Sequence, residues 1–117
     1  MNVKAAHEAL LAVAREQRTI TYGEVISVAG IRLPGDALSG ALGHLFYEIV
    51  MAELAKDPTA PMLSAVALPK NETRPSKGFF ELARELGRLE SVSARDEDIF
   101  WLNELKAAYG YWGKQEE

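Results

Sequence analysis

The residues from Asp36 to Leu54 carry the longest apolar face of the chain, and this face constrains the fold more than any other feature. Its side chains recur every three or four residues, which is the spacing of one face of an α-helix. They are Leu38, Leu42, Leu45 and Ile49, with Ala41, Phe46 and Leu54 beside them. Asp36 is the predicted N-cap. The segment KDPTAP at residues 56–61 then ends the helix, because its two prolines cannot continue one.

The residues before this long helix predict two shorter helices joined by an extended segment. Residues 3–15 are alanine-rich and show helical spacing of their apolar positions. The β-branched run at residues 19–21 favours a brief strand. Thr21 and Glu24 have the spacing of a capping box, which predicts that a helix begins there. Gly30 is a natural end for that helix.

After the proline-rich loop, the sequence predicts a strand, a polar loop and a fourth helix. The apolar run MLSAVAL at residues 62–68 is typical of a buried strand, although so short a run also fits a helix. Residues 69–78, PKNETRPSKG, are polar and rich in turn formers. Helical spacing resumes at Phe79 and continues to Gly87.

A fifth helix is predicted to begin near Asp96, where acidic residues favour the positive end of the helix dipole. We expect it to stop at Gly110 or Gly113. Its expected buried residues are Ile99, Leu102, Leu105 and Tyr109, with Lys106 burying its stem if Leu105 does not. The predicted fold class is therefore α+β and mostly helical.

Composition limits the kinds of protein that this chain can be. Its 117 residues, 48% of them hydrophobic, suit one domain spanning residues 1–117. The chain has no cysteine, which excludes disulfides, thiolate metal sites and cysteine nucleophiles. Residues 1–4 lead into the first predicted helix without the charged, apolar and cleavage regions of a signal peptide, so we expect none, and no apolar run approaches a membrane span. We expect a soluble, cytoplasmic protein.

The order of these elements is that of a winged helix-turn-helix domain, whose third helix can enter a DNA groove. The segment TITYGEV at residues 19–25, followed by Ala29-Gly30 and by Ala41-Leu42-Gly43, resembles the winged-helix domain of the alkyltransferase-like and O6-alkylguanine-DNA alkyltransferase families. The resemblance covers roughly residues 19–68. It implies a winged-helix-like part over residues 1–78 and a C-terminal helical extension over residues 79–117.

The sequence departs from these families at the residues that carry their chemistry. Their Pro-Cys-His-Arg motif, or its version with the cysteine replaced, is absent, and Ser64-Ala65-Val66-Ala67 stands there. Alkyl transfer is therefore excluded. The position of the family's arginine finger is Gly40, so the resemblance does not predict support for a flipped nucleotide.

Two segments form the predicted nucleic-acid interface. Residues 61–80 are similar to uncharacterised bacterial and phage-borne domains with a strand, a polar turn and a Gly-Phe closure. The polar turn offers cations and a neutral donor for phosphate contacts, and the third helix offers small or polar side chains opposite its leucine stripe. The predicted contacts are Ser39, Gly40, His44, Lys70, Asn71, Arg74 and Lys77. A solvated turn and ordinary helix packing explain the same residues, because residues 31–78 are electrically neutral.

The C-terminal part predicts a different surface. Residues 79–117 carry 9 acidic and 5 basic residues, which is the whole acidic excess of the chain. The aromatic residues Phe100, Trp101, Tyr111 and Trp112 either lock the last helix onto the core or form a partner or dimer interface.

No catalytic signature is recognisable. Neither a Gly-x-Ser-x-Gly elbow nor a Ser-x-x-Lys motif occurs, and Lys77-Gly78 does not make a phosphate loop. His44 and Glu48 share a helix face, but a metal site needs further ligands, so we expect neither a metal nor a cofactor. The sequence predicts a non-enzymatic nucleic-acid-binding or regulatory module. The alternative is an accessory or inhibitor subunit that uses the aromatic, acidic C-terminal helix for protein interaction.

Overall fold

The computed structural model describes residues 1–114, which form five α-helices and one small sheet. The helices are α1 (Val3–Arg15), α2 (Tyr22–Ala29), α3 (Gly35–Lys56), α4 (Lys77–Glu85) and α5 (Ala94–Lys114). The strands are β1 (Ile20–Thr21) and β2 (Ala67–Leu68). The predicted mostly helical fold class is confirmed. None of these helices combines the length and the apolar character that crossing a membrane requires.

The first two helices form where the local signals predict them. Asn2 accepts a hydrogen bond from the Ala5 N–H at the start of α1. The Thr21 hydroxyl accepts one from the Glu24 N–H at 3.1 Å, and the Glu24 carboxylate accepts one from the Thr21 N–H at 3.3 Å. This reciprocal pair is the predicted capping box. Gly30 ends α2 in the left-handed conformation, with φ of 69°.

The long helix α3 ends at Lys56, as predicted, but its start differs from the prediction. Pro34 is the N-cap, and Asp36 lies inside the first turn rather than capping it. Proline is a poor side-chain cap, so Asp36 contributes only through its charge near the positive helix end. The leucine stripe is buried at Leu42, Leu45 and Ile49, and Leu38 is half-buried.

The predicted strand at residues 62–68 is mostly wrong. Leu63–Val66 form a 3₁₀ turn, and only Ala67 and Leu68 are strand. The turn is packed among α1, α3 and α5, and each of its residues is buried. A short apolar run buried on all sides carries no periodicity that separates strand from helix.

The two strands pair in parallel, with Ile20 opposite Ala67 and Thr21 opposite Leu68. A winged domain has an antiparallel hairpin at this place, and residues 1–114 contain only the parallel pair. A loop leads from β2 into α4.

The last helix is longer than predicted and turned by about one residue. It begins at Ala94 and runs through Gly110 and Gly113 to Lys114. Ile99 and Leu102, both predicted to be buried, are 46% and 47% exposed. The buried side chains follow a different stripe, made of Trp101, Ala108 and Trp112, with Leu105 half-buried.

Two core clusters result, and Leu105 of α5 packs against both. One lies among α1, α2, α3 and the end of α5 and contains Leu10, Leu45 and Trp112. The other lies between α4 and the middle of α5 and contains Phe79, Phe80 and Trp101. The two clusters together leave a groove between α3 and α4, which is the site described next.

Candidate functional site

A cavity with a volume of about 600 Å³ lies between α3 and α4. Its walls carry four aromatic rings, those of Tyr22, Phe46, Tyr47 and Phe79. The Tyr22 and Phe46 rings are in contact, with centroids 5.3 Å apart. The volume falls within the range typical of small-molecule sites, and the aromatic walls are typical as well.

Helix α3 supplies one wall with the face that runs from the edge of its leucine stripe, at Leu42 and Phe46, towards the opposite side. Ser39, Gly43 and Tyr47 line the cavity, and Gly40 and His44 are exposed beside them. A Cβ atom added at Gly40 or Gly43 would meet no other atom within 4 Å, so this face is open rather than packed against a neighbouring helix. Within the described chain, no other helix packs against Gly40 or Gly43.

Ser64 lies at the wall of the cavity with an unusual environment. It is 5% exposed, and its hydroxyl has no hydrogen-bond partner among the described residues. A buried hydroxyl without a partner destabilises a fold by about 1–3 kcal/mol. The sequence gives one faint signal for it, since Ser64 is the single polar residue of an otherwise apolar run.

The loop between β2 and α4 closes one end of the cavity and is held in place on both sides. The Ser76 N–H donates to the Tyr22 hydroxyl at 3.1 Å, and the Ser76 and Tyr22 hydroxyls lie 3.2 Å apart. At the other side, Arg74 donates to Glu97 at 2.8 Å, and its guanidinium lies 4.8 Å from the centre of the Phe80 ring. The loop is therefore tied both to α2 and to α5.

The Arg74 side chain belongs to a small ion-pair network at the start of α5. Arg84 donates to the second oxygen of Glu97 at 2.6 Å and to the Ser91 carbonyl at 2.7 Å. The Nε of Arg74 lies 3.2 Å from Asp98 Oδ1, without the alignment of a hydrogen bond. The guanidinium groups that bond to Glu97, Arg84 first and then Arg74, hold the pKa of this carboxyl below its ordinary value.

This network changes the predicted phosphate contacts. Arg74 is half-buried and already paired with two carboxylates, so it is not available as a free phosphate ligand. Lys70, Asn71 and Lys77 are exposed. Of the three cations that the sequence placed in this loop, the structure leaves Lys70 and Lys77 at the surface.

The predicted partner interface also changes. Trp101 is 8% exposed and donates from its indole to the Ala65 carbonyl at 3.0 Å, and Trp112 is 1% exposed. Both rings are core residues, so they are absent from any surface that this chain presents. Phe100 and Tyr111 are half-buried, the first against Phe79 and the second bonded to Asp57 at 3.0 Å. Of the two readings, locking α5 onto the core is the one these contacts support.

No protein-family model, curated protein or solved structure matches the chain significantly. The site must therefore be interpreted from its own chemistry.

The described residues contain no group of three or more histidine, cysteine or acidic side chains arranged to hold a metal ion. His44 and Glu48 lie 3.3 Å apart on the exposed side of α3, and His7 and Glu53 pair at 2.5 Å between α1 and α3. Glu53 also lies 3.7 Å from the Lys56 ammonium group, so the His7 pair includes a third, cationic side chain rather than a further metal ligand.

Sequence reasoning missed most of the cavity, including Tyr22, Phe46, Ser64, Ser76 and the acidic residues of α4. A pattern of apolar residues identifies which side chains are shielded from water. It does not show where the surfaces of two helices are separated by a cavity. The groove is lined by residues of α2, α3, the 3₁₀ turn, the loop after β2 and α4, which are far apart in the sequence, so it is a tertiary property.

Proposed function

We propose that this chain is a non-enzymatic nucleic-acid-binding or regulatory module of helix-turn-helix type, in which α3 is the contacting helix. The observation that carries the proposal is the open face of α3. Ser39, Gly40 and Gly43 leave the helix backbone accessible, and His44 and Tyr47 stand beside them with polar groups at their tips. Small residues let a helix approach a groove closely, and polar tips supply hydrogen bonds to bases or phosphates.

The connection between α2 and α3 supports the same proposal. Only residues 30–34 separate the two helices, and Gly30 and Pro34 cap the helix ends. The three residues between the caps make a turn of the length found in helix-turn-helix proteins. The proposed domain differs from a winged one after β2, where a tethered loop occupies the place of a hairpin. Lys70 on this loop and Lys77 at the start of α4 are the cations that would contact phosphates.

Charge predicts that such binding is weak and sensitive to salt. The chain has a formal net charge of −4, unlike most domains that bind nucleic acids through a basic surface. Two lysine contacts would contribute a slope of about −1.8 to the dependence of log affinity on log salt concentration for duplex DNA.

The test is fluorescence anisotropy with a labelled duplex at several salt concentrations. The double variant Lys70→Ala/Lys77→Ala should flatten the salt slope by about 1.8, whereas Lys4→Ala, which removes an exposed cation from α1, should leave it unchanged.

A second pair of variants tests α3 itself. Gly40→Glu should abolish binding by placing a carboxylate on the contacting face. Ala55→Glu adds the same charge at an exposed position roughly 22 Å along the same helix, and binding should persist. Equal affinities for both variants and the parent chain would contradict the assignment of α3.

One observation favours a second candidate, a protein-interaction domain that uses α5. Ile99 and Leu102 lie one turn apart on α5 and are each nearly half exposed. Contiguous exposed apolar surface is a feature of protein-interaction sites, and these two side chains would be its centre on α5. If α5 carries the function, the double variant Ile99→Ser/Leu102→Ser should dissociate a homodimer or partner complex formed through α5. Analytical ultracentrifugation would show the dissociation, and the melting temperature of the variant should not be lower. Binding to DNA should be unaffected.

A further inference from the structure

The cavity between α3 and α4 has features that nucleic-acid binding does not require. It is lined by the rings of Tyr22, Phe46, Tyr47 and Phe79 and has a volume of about 600 Å³. A flat base or phosphate contact needs no such volume, because it is made on the outside of a helix. A groove of this size with aromatic walls suits a small organic molecule.

Ser64 gives the cavity a specific polar position. Ser64 lines the cavity, and its buried hydroxyl has no partner among the described residues. Native buried hydroxyls are nearly always satisfied, so this one has hydrogen-bonding capacity left for a group bound in the cavity. A polar atom of a ligand would supply the hydrogen-bond partner that the Ser64 hydroxyl lacks.

The charged lining of the cavity is acidic on balance. It consists of Glu81 and Glu85 of α4 and Lys77, which gives two carboxylates to one ammonium group. The faces of tyrosine and phenylalanine rings attract cations as well. Both features favour a cation over an anion.

We propose that this cavity is a binding site for a small aromatic amine in its protonated form. The ring of the ligand lies among the four aromatic side chains, its ammonium group is near Glu81 and Glu85, and a polar ring atom bonds to Ser64. A phosphate-bearing nucleotide is disfavoured, since its charge would meet the two carboxylates.

The experiment is a titration of the full chain followed by amide NMR at about pH 7, with three probes. Tryptamine carries an indole ring and an ammonium group, indole-3-acetate carries the same ring and a carboxylate, and adenosine carries a nucleobase without phosphate. Tryptamine should bind with shifts at residues of α3 and α4, and indole-3-acetate should bind about tenfold more weakly. Absence of tryptamine binding, equal affinity for the two indoles, or tighter binding of adenosine overturns the proposal.

Variants locate the site. Gly43→Leu should abolish tryptamine binding by filling the cavity, because a Cβ at Gly43 meets open space. Gly40→Leu is the matched control, since Gly40 has the same open surroundings on the same helix but does not line the cavity. Retained binding in Gly43→Leu, or equal loss in both variants, overturns the assignment of the cavity.

Charge and hydrogen bonding are tested separately. The double variant Glu81→Gln/Glu85→Gln changes only exposed side chains, so it should fold normally and lose the preference for tryptamine over indole-3-acetate. Ser64→Ala should weaken tryptamine binding by about tenfold without lowering the melting temperature, because the hydroxyl has no partner to lose. A preserved preference in the first variant, or unchanged affinity in the second, contradicts the corresponding contact.

Discussion

The ion-pair network at Glu97 predicts a large effect from a small chemical change. Glu97→Gln keeps the shape of the side chain and removes its charge, so both Arg84 and Arg74 lose a carboxylate at 2.6 and 2.8 Å. The Glu97 side chain is 17% exposed, and the two arginine side chains are 26% and 34% exposed. These ion pairs are therefore neither fully buried nor freely solvated.

The size of the effect follows from this intermediate exposure. Hydrogen bonds to charged groups contribute about 1.5–3 kcal/mol each when well buried, and exposed pairs contribute about 0–1 kcal/mol. We expect a total loss of about 2 kcal/mol, because glutamine retains one neutral acceptor. For a chain of this size, that corresponds to a decrease in melting temperature of roughly 8 °C.

Urea unfolding followed by circular dichroism measures this loss directly. Asp98→Asn is the matched control, because Asp98 is 53% exposed and contacts only Arg74, without hydrogen-bond alignment. It should cost no more than about 0.5 kcal/mol. In addition, Glu97→Gln should speed amide exchange in residues 70–75, because it weakens the ion pair that holds Arg74 of this segment against α5. Equal destabilisation by the two variants, or a Glu97→Gln effect below about 0.5 kcal/mol, would refute the proposed role of the network.

Three further predictions concern the fold. Thr21→Ala should lower the free energy of unfolding by about 1 kcal/mol, since it removes the acceptor of the capping box, and Ser27→Ala at an exposed position of α2 should have little effect in the same urea titration. Trp112→Ala should cost about 3–5 kcal/mol because the ring is 1% exposed; a melt close to that of the parent chain would place the ring at the surface instead. Acid should weaken the fold through Glu97, whose pKa is lower in the folded state than in the unfolded chain. Its contribution is complete above the unfolded pKa and disappears as the pH falls through the lower, folded pKa, so the urea midpoint should fall on acidification below about pH 4.3, and less steeply in Glu97→Gln.

Most local signals in the sequence predicted local structure correctly, and the N-cap predicted at Asp36 was an exception. The box formed by Thr21 and Glu24, the end of α2 at Gly30 and the proline-rich end of α3 all rest on interactions within a few residues. The start of α5 has a comparable signal that our sequence analysis passed over. Ser93 and Asp96 have capping-box spacing, and the Ser93 hydroxyl accepts from the Asp96 N–H at 3.2 Å.

Tertiary packing decided the features that the sequence prediction missed. Gly110 and Gly113 stay helical although each glycine costs about 1 kcal/mol relative to alanine, because burial of Trp112 between them holds the helix in place. The phase of α5 was predicted from Ile99 and Leu102, yet the helix turns Trp101 and Ala108 to the core. Both stripes have helical spacing, and only the shape of the surrounding core selects between them.

Among the predicted nucleic-acid contacts, Gly40 and His44 are exposed, whereas Arg74 is held in ion pairs, and the same difference between local pattern and tertiary packing explains both outcomes. Exposure of Gly40 and His44 follows from their position opposite a leucine stripe, which is visible in the sequence. The ion pairs of Arg74 with Glu97 and Asp98 form because the start of α5 packs near the loop that carries Arg74. These residues are more than 20 positions apart in the sequence. A contact between residues so far apart produces no periodic pattern in the sequence, so the sequence did not predict it.

The most direct test of the proposed function is an amide NMR titration of the chain with duplex DNA at low and at moderate salt concentration. Binding through α3 predicts shifts at residues 39–47, together with Lys70 and Lys77, that are large at low salt and diminish as salt is added. Shifts confined to α5, or no shift at either salt concentration, would contradict the assignment of α3 as a nucleic-acid-binding helix.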